Sequence, residues 1–178
     1  MAGGGRGRPI GVVLLALGPV LAVAYAGVNH VAIRMAVEAQ IAGPRWVGGL
    51  IDADGMTSLG VDAWRLTWWT TLFVGLVALA YLVIGALLRR RSRGRTALLV
   101  LSGVLVIPYA LGFLVALINP VKTLAALYHT RDFTDGLPGW QPATALILLA
   151  AALVQAAGLP LTAAEGRRAT EAGERGAS

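Results

Sequence analysis

Residues 66–88 and 97–118 contain no Lys, Arg, Asp, Glu or His, and residues 89–95 between them hold five Arg in seven positions. Each uncharged run is longer than the ~20 residues a helix needs to cross a ~30 Å hydrocarbon core. The pair is therefore predicted to form a transmembrane hairpin. Short translocated loops lose Lys and Arg while cytoplasmic loops keep them, so the Arg-rich turn is expected in the cytoplasm, and it sets the direction of both helices.

Two more runs extend this reading. Residues 10–28 follow a Gly-rich start carrying Arg6 and Arg8, and residues 143–164 hold only Gln155 as a strongly polar interior residue. The expected fold is all-α: a polytopic integral membrane protein, a four-helix transmembrane bundle with a long first outer loop. Residues 1–9 are expected as a cytoplasmic N-terminus, 10–164 as one membrane domain, and 165–178 as a frayed cytoplasmic tail. Of the fifteen Lys and Arg, ten fall in the predicted inner segments, in accord with this orientation.

Composition narrows the class further. The chain is 57% hydrophobic and 13% charged, against roughly 25% charged in soluble domains. A net charge of +6 does not point to nucleic acid, because the Arg residues sit at the ends of apolar runs, where anionic headgroups account for them. The bilayer is the expected partner, together with a second copy or another membrane protein. Zero Cys removes disulfides, thiolate metal sites and Cys nucleophiles at once. One Lys against fourteen Arg, with abundant Ala and Gly, points to a GC-rich bacterial genome, and so to the bacterial plasma membrane.

The first run admits two readings. A basic start, an apolar core and Ala24-Tyr25-Ala26 match a cleaved signal peptide. An uncharged run of this length, with no Gly or Pro cluster between Val20 and Ala42, favours an uncleaved helix that continues outward until Gly43-Pro44 stops it. Such a helix would be about 50 Å long at 1.5 Å per residue, and its last third would stand above the hydrocarbon.

Along it, Gly18, Ala22, Ala26, His30, Arg34 and Glu38 recur every four residues. Each four-residue step turns 400°, so the row drifts about 40° per step and its two halves point in different directions. The small half is expected to form a close-packing groove, as are Gly112 with Ala116 and Ala152 with Ala156. The polar half, with an Arg34–Glu38 ion pair one turn apart, is expected to emerge beneath the outer loops. His30, Arg34, Glu38 and His129 form the candidate outer-face recognition site.

Between these helices the chain is expected to be irregular. Residues 43–65 and 130–142 read as loops, and Asn119-Pro120 as the N-cap and first residue of a short interfacial helix. Asp52-Ala53-Asp54-Gly55 looks like the start of a calcium loop but lacks the third oxygen ligand, and Ala63 stands where the closing Glu is required. It reads as a solvated turn. The five Trp fall at the predicted outer face as an aromatic belt. No hydrolase, nucleotide-binding or zinc-protease motif occurs in its required context, and the membrane runs carry no ionisable residue to serve a proton relay. No catalytic, cofactor or metal residue is expected. The function expected is that of a non-enzymatic accessory or assembly protein. The alternative is a component of a permease or membrane enzyme with a polar site at the outer face.

Overall fold

The computed structural model describes residues 10–90 and 95–175. The basic N-terminal segment (1–9), the centre of the Arg-rich turn (91–94) and the last residues of the tail (176–178) lie outside the described residues. The elements are α1 (Ile10–Ala42), α2 (Ser58–Arg90), α3 (Arg95–Leu117), α4 (Pro120–Leu127), α5 (Arg131–Gly136), a 3-10 turn at Gln141–Thr144 and α6 (Ala145–Arg175). Among the described residues, four stretches are long and apolar enough to cross a membrane: Ile10–Ala42, Ser58–Leu88, Val100–Leu117 and Gln141–Arg168. The chain is a multi-pass, all-α four-helix bundle. Val20, Val23, Leu76, Val83, Ile107 and Leu153 point outward from it, an apolar exterior suited to lipid rather than water.

α1 is the central helix, packed mainly on α6 and α2, while α3 touches α2 and α6 along shorter seams. Close approach of α1 to α6 depends on Gly18, since a Cβ there would overlap the Gln155 side chain. Ala22 and Ala26 are buried on the same helix, Gly112 of α3 lies against Val74, and Ala116 is buried. On α6 the buried residues include Ala145, Leu148, Ala151, Gln155, Gly158 and Thr162. Ala152 is half-buried and Ala156 is exposed, so this pair flanks the close seam instead of forming it. At 100° per residue, the seam runs through 151, 155, 158 and 162, and the 152/156 row falls to one side.

At one end, reached by the C-terminus of α1 and the start of α2, the bundle is capped by α4 and α5. Ile33, Ala36, Val37, Leu59, Ala63, Val121, Ala125, Phe133 and Leu137 form a second core there. α2 begins about two turns before Leu66, so Asp62, Trp64 and Arg65 are helical and the preceding loop is shorter than 43–65. Thr57 starts the helix, its Oγ1 accepting from the Gly60 N–H at 3.3 Å and donating to Gln40 Oε1 at 2.8 Å. Two further segments are more ordered than expected. Within 130–142 lie α5 and a 3-10 turn, because burial of Phe133 fixes that segment on the second core. Beyond residue 164, α6 continues to Arg175, and Glu165 Oε1 accepts from the Gly11 N–H at 3.2 Å, joining it to the first turn of α1.

Candidate functional site

The loop between α1 and α2 folds onto α1 through a tight turn. Asp52 Oδ1 accepts from the N–H of Asp54 at 3.0 Å and of Met56 at 2.7 Å, and the Asp52 N–H donates to Met56 O at 2.9 Å. Gly55 completes the turn with φ +76°, a value that favours glycine. Oδ1 of Asp52 is thus occupied by the backbone of its own turn. Arg34 anchors the loop to α1, donating from Nη1 to Asp54 O at 2.6 Å. No Arg34–Glu38 ion pair forms, and Glu38 is exposed. The carbonyls presented by the turn offer Arg34 a fixed acceptor, whereas an exposed pair one turn apart contributes little.

Beneath this loop is a cleft of about 500 Å³ lined by His30, Arg34, Asp52, Asp54, Trp64 and Arg65, among others. The His30 ring stands edge-on to Trp64, with centroids 4.6 Å apart and planes at 67°. His30 Nδ1 is buried and has no hydrogen-bond partner among the described residues. The cleft therefore combines two cationic and two anionic side chains, an aromatic wall and an imidazole nitrogen without a partner among the described residues, a set suited to binding a neutral polar group that can hydrogen-bond to His30.

His129 lies in a different place. It follows the end of α4 with φ 52°, in the left-handed conformation that stops a helix, and its N–H donates to Ala126 O at 3.1 Å. Its side chain lines a smaller cleft of about 200 Å³ with Gln40, Arg45, Trp46, Arg131 and Asp132. There Arg45 Nη1 pairs with Asp132 Oδ1 at 2.9 Å, tying the loop after α1 to α5. Of the four candidate recognition residues, the structure brings together His30 and Arg34 only. Glu38 and His129 lie outside their cleft.

Sequence reasoning missed a buried polar layer just below the cap. Asn29 donates from Nδ2 to Tyr25 O at 3.0 Å, and its Oδ1 accepts from Gln141 Nε2 at 3.1 Å. Gln141 Oε1 accepts from Asn119 Nδ2 at 2.7 Å, and Asn119 Oδ1 accepts from the Lys122 N–H at 3.3 Å, capping α4 as its position predicts. Asn29, Asn119 and Gln141 are all buried, and buried amides of this kind hold their elements in one arrangement when every partner is supplied. Nearby, the Tyr128 hydroxyl donates to Asp62 Oδ2 at 2.7 Å. That hydrogen bond, reinforced by the carboxylate charge, raises the Tyr128 phenol above its ordinary 10.0. Among the described residues no group of three His, Asp or Glu could hold a metal ion. Comparison of the chain with protein-family models, with curated proteins and with solved structures finds no match.

Proposed function

We propose that this is a non-enzymatic accessory protein of the bacterial plasma membrane, with both termini in the cytoplasm, that docks a second membrane protein at its capped outer face. The observation that carries the reading is the His30 cleft, where a fixed loop, a flanking Trp and an unpartnered buried ring nitrogen surround a space open to a partner side chain. Polar atoms left unpaired in a recognition surface favour a partner that supplies the missing hydrogen bond. The same cleft in a permease or membrane-bound enzyme would take a small polar solute, and that is the alternative reading.

Affinity capture of the tagged full chain in mild detergent separates the two. His30→Phe keeps the ring against Trp64 and removes both nitrogens. It should lower recovery of a stoichiometric membrane-protein partner about tenfold, which corresponds to ~1.4 kcal/mol. Glu38→Ala, outside the cleft, should leave recovery unchanged. Equal recovery with wild type and His30→Phe would remove the cleft from the docking surface. A small solute retained by wild type and lost from His30→Phe would favour the alternative.

A further inference from the structure

Far from the cap, a cavity of about 480 Å³ opens between α3 and α6 over the middle of α2, within the ~300–1,000 Å³ range of small-molecule sites. It exists because small residues face each other across the seam. Gly103 and Ala110 line it from α3, Ala152 and Ala156 from α6, and a Cβ added at Gly103 would meet nothing within 4 Å. Exposed Val106 and Leu153 stand at its rim, so it opens sideways to the hydrocarbon.

Its polar atoms are few and specific. The Tyr81 hydroxyl is satisfied, donating to Ser102 O at 2.7 Å. Gln155 Nε2 is satisfied by Leu15 O at 3.0 Å. Two atoms on the lining residues are left over: the Tyr109 hydroxyl and Gln155 Oε1 are both buried without a partner among the described residues, on residues only 4% and 1% exposed. Leaving a buried donor or acceptor unmade is costly, and more so inside hydrocarbon, where no water can substitute. Both side chains lie within membrane-spanning stretches, and among the described residues no charged one lines the cavity, so a charged headgroup would be stripped of water with nothing there to pair it.

A group that suits this pair must be neutral, able to accept from the Tyr109 O–H and able to donate to Gln155 Oε1. A hydroxyl does both, whereas an ether, ester or ketone only accepts. We propose that the cavity binds an uncharged long-chain lipid alcohol that enters between α3 and α6, its chain lying along the seam and its hydroxyl between Tyr109 and Gln155. The site is independent of the docking cleft at the cap.

The test uses the full chain in phospholipid nanodiscs and a long-chain alcohol carrying a photoreactive diazirine, with labelled peptides identified by mass spectrometry. Labelling should concentrate in residues 102–113 and 149–159 and be displaced by unlabelled alcohol but not by its methyl ether. Tyr109→Phe removes only the hydroxyl and should lower site labelling about fivefold at an unchanged melting temperature. Gly103→Leu fills the hollow and should abolish site labelling. Equal displacement by the ether, equal labelling of Tyr109→Phe, or labels spread over the lipid-facing surfaces of α1 and α2 would overturn the proposal. If Gly103→Leu fails to fold, the ether comparison and Tyr109→Phe decide it.

Discussion

The cap core and the main core of the spans, the two larger of the three hydrophobic clusters among the described residues, are built with different emphasis. In the cap, Phe133, Ile33, Val37 and Leu59 are large side chains packed around a centre, supported at the surface by the Arg45–Asp132 pair and the Tyr128–Asp62 bond. In the spans, large side chains such as Leu15, Tyr25 and Leu148 pack around seams closed by small residues, with Gly18 against Gln155, Gly112 against Val74 and Gly158 against the backbone of Gly11. The cap uses such close approaches at Gly60 and Gly136, where α2 and α5 meet α1. The difference follows from the solvent. Burying a large apolar side chain is favourable only if the alternative is water, so the cap can use that force. A Leu leaving lipid for a helix interface gains nothing from dehydration, and helices in lipid associate through close contact and buried hydrogen bonds. α1 belongs to both regimes, with Leu15, Ala22 and Tyr25 in one core and Ile33, Ala36 and Val37 in the other.

The comparison predicts that the cores fail separately. Phe133→Ala leaves a large void at a fully buried position and should cost about 3–5 kcal/mol of cap stability. Limited proteolysis should then cut within residues 130–142, while the helix content measured by circular dichroism stays near wild type. A simultaneous loss of the spans would show that the cores are one cooperative unit. Gly18→Leu is the complementary change. It forces α1 off α6 and should cost about 1–3 kcal/mol of overpacking, read as a lower melting temperature and lower membrane level with the cap still resistant to protease. The smallest effect concerns the surface of the cap. Tyr128 is held protonated by its bond to Asp62, so the contact is complete below the ordinary phenol value of 10.0 and is lost as pH rises through the raised one. Ultraviolet titration, taken as the difference from Tyr128→Phe, should show Asp62→Asn moving this phenol back towards 10.0. An unshifted titration would mean that the pair does not persist in solution.

What could be read in advance divides along the same boundary. The spans were legible because charge is absent from them and concentrated between them, and lipid enforces that rule residue by residue. Asn119-Pro120 signals α4 through capping chemistry, supported by Val121, Leu124, Leu127 and Tyr128 at three- and four-residue spacing. The cap was less legible. The start of α2 carries Asp62 and Arg65, which looked like loop, although Thr57 followed by buried Leu59 and Ala63 was a usable signal. α5 holds one decisive apolar residue, Phe133, too few for any periodicity to register. The amide layer joins Asn29 to Gln141 across 112 positions of sequence, and no local pattern reports such a pairing. The candidate site was half legible: the four-residue row placed His30 and Arg34 together, but the choice of Asp54 over Glu38 as the partner of Arg34 depended on a turn whose position only folding supplies.

α1 passes from one core to the other without an interruption, and from Val20 to Ala42 it contains no proline. This stretch is a rod of about 35 Å at 1.5 Å per residue, rooted among the spans and ending in the cap. A bilayer that thins or thickens is accommodated by tilting the helices within it, and a tilt of ~10° carries the far end of such a rod sideways by about 6 Å. The cap packs on the far half of this rod through Phe133 against Ile33 and Val37, and the amide layer around Asn29 ties the middle of the rod to Gln141. The His30 cleft sits about 15 Å along the rod, so the same tilt would carry it sideways by about 3 Å.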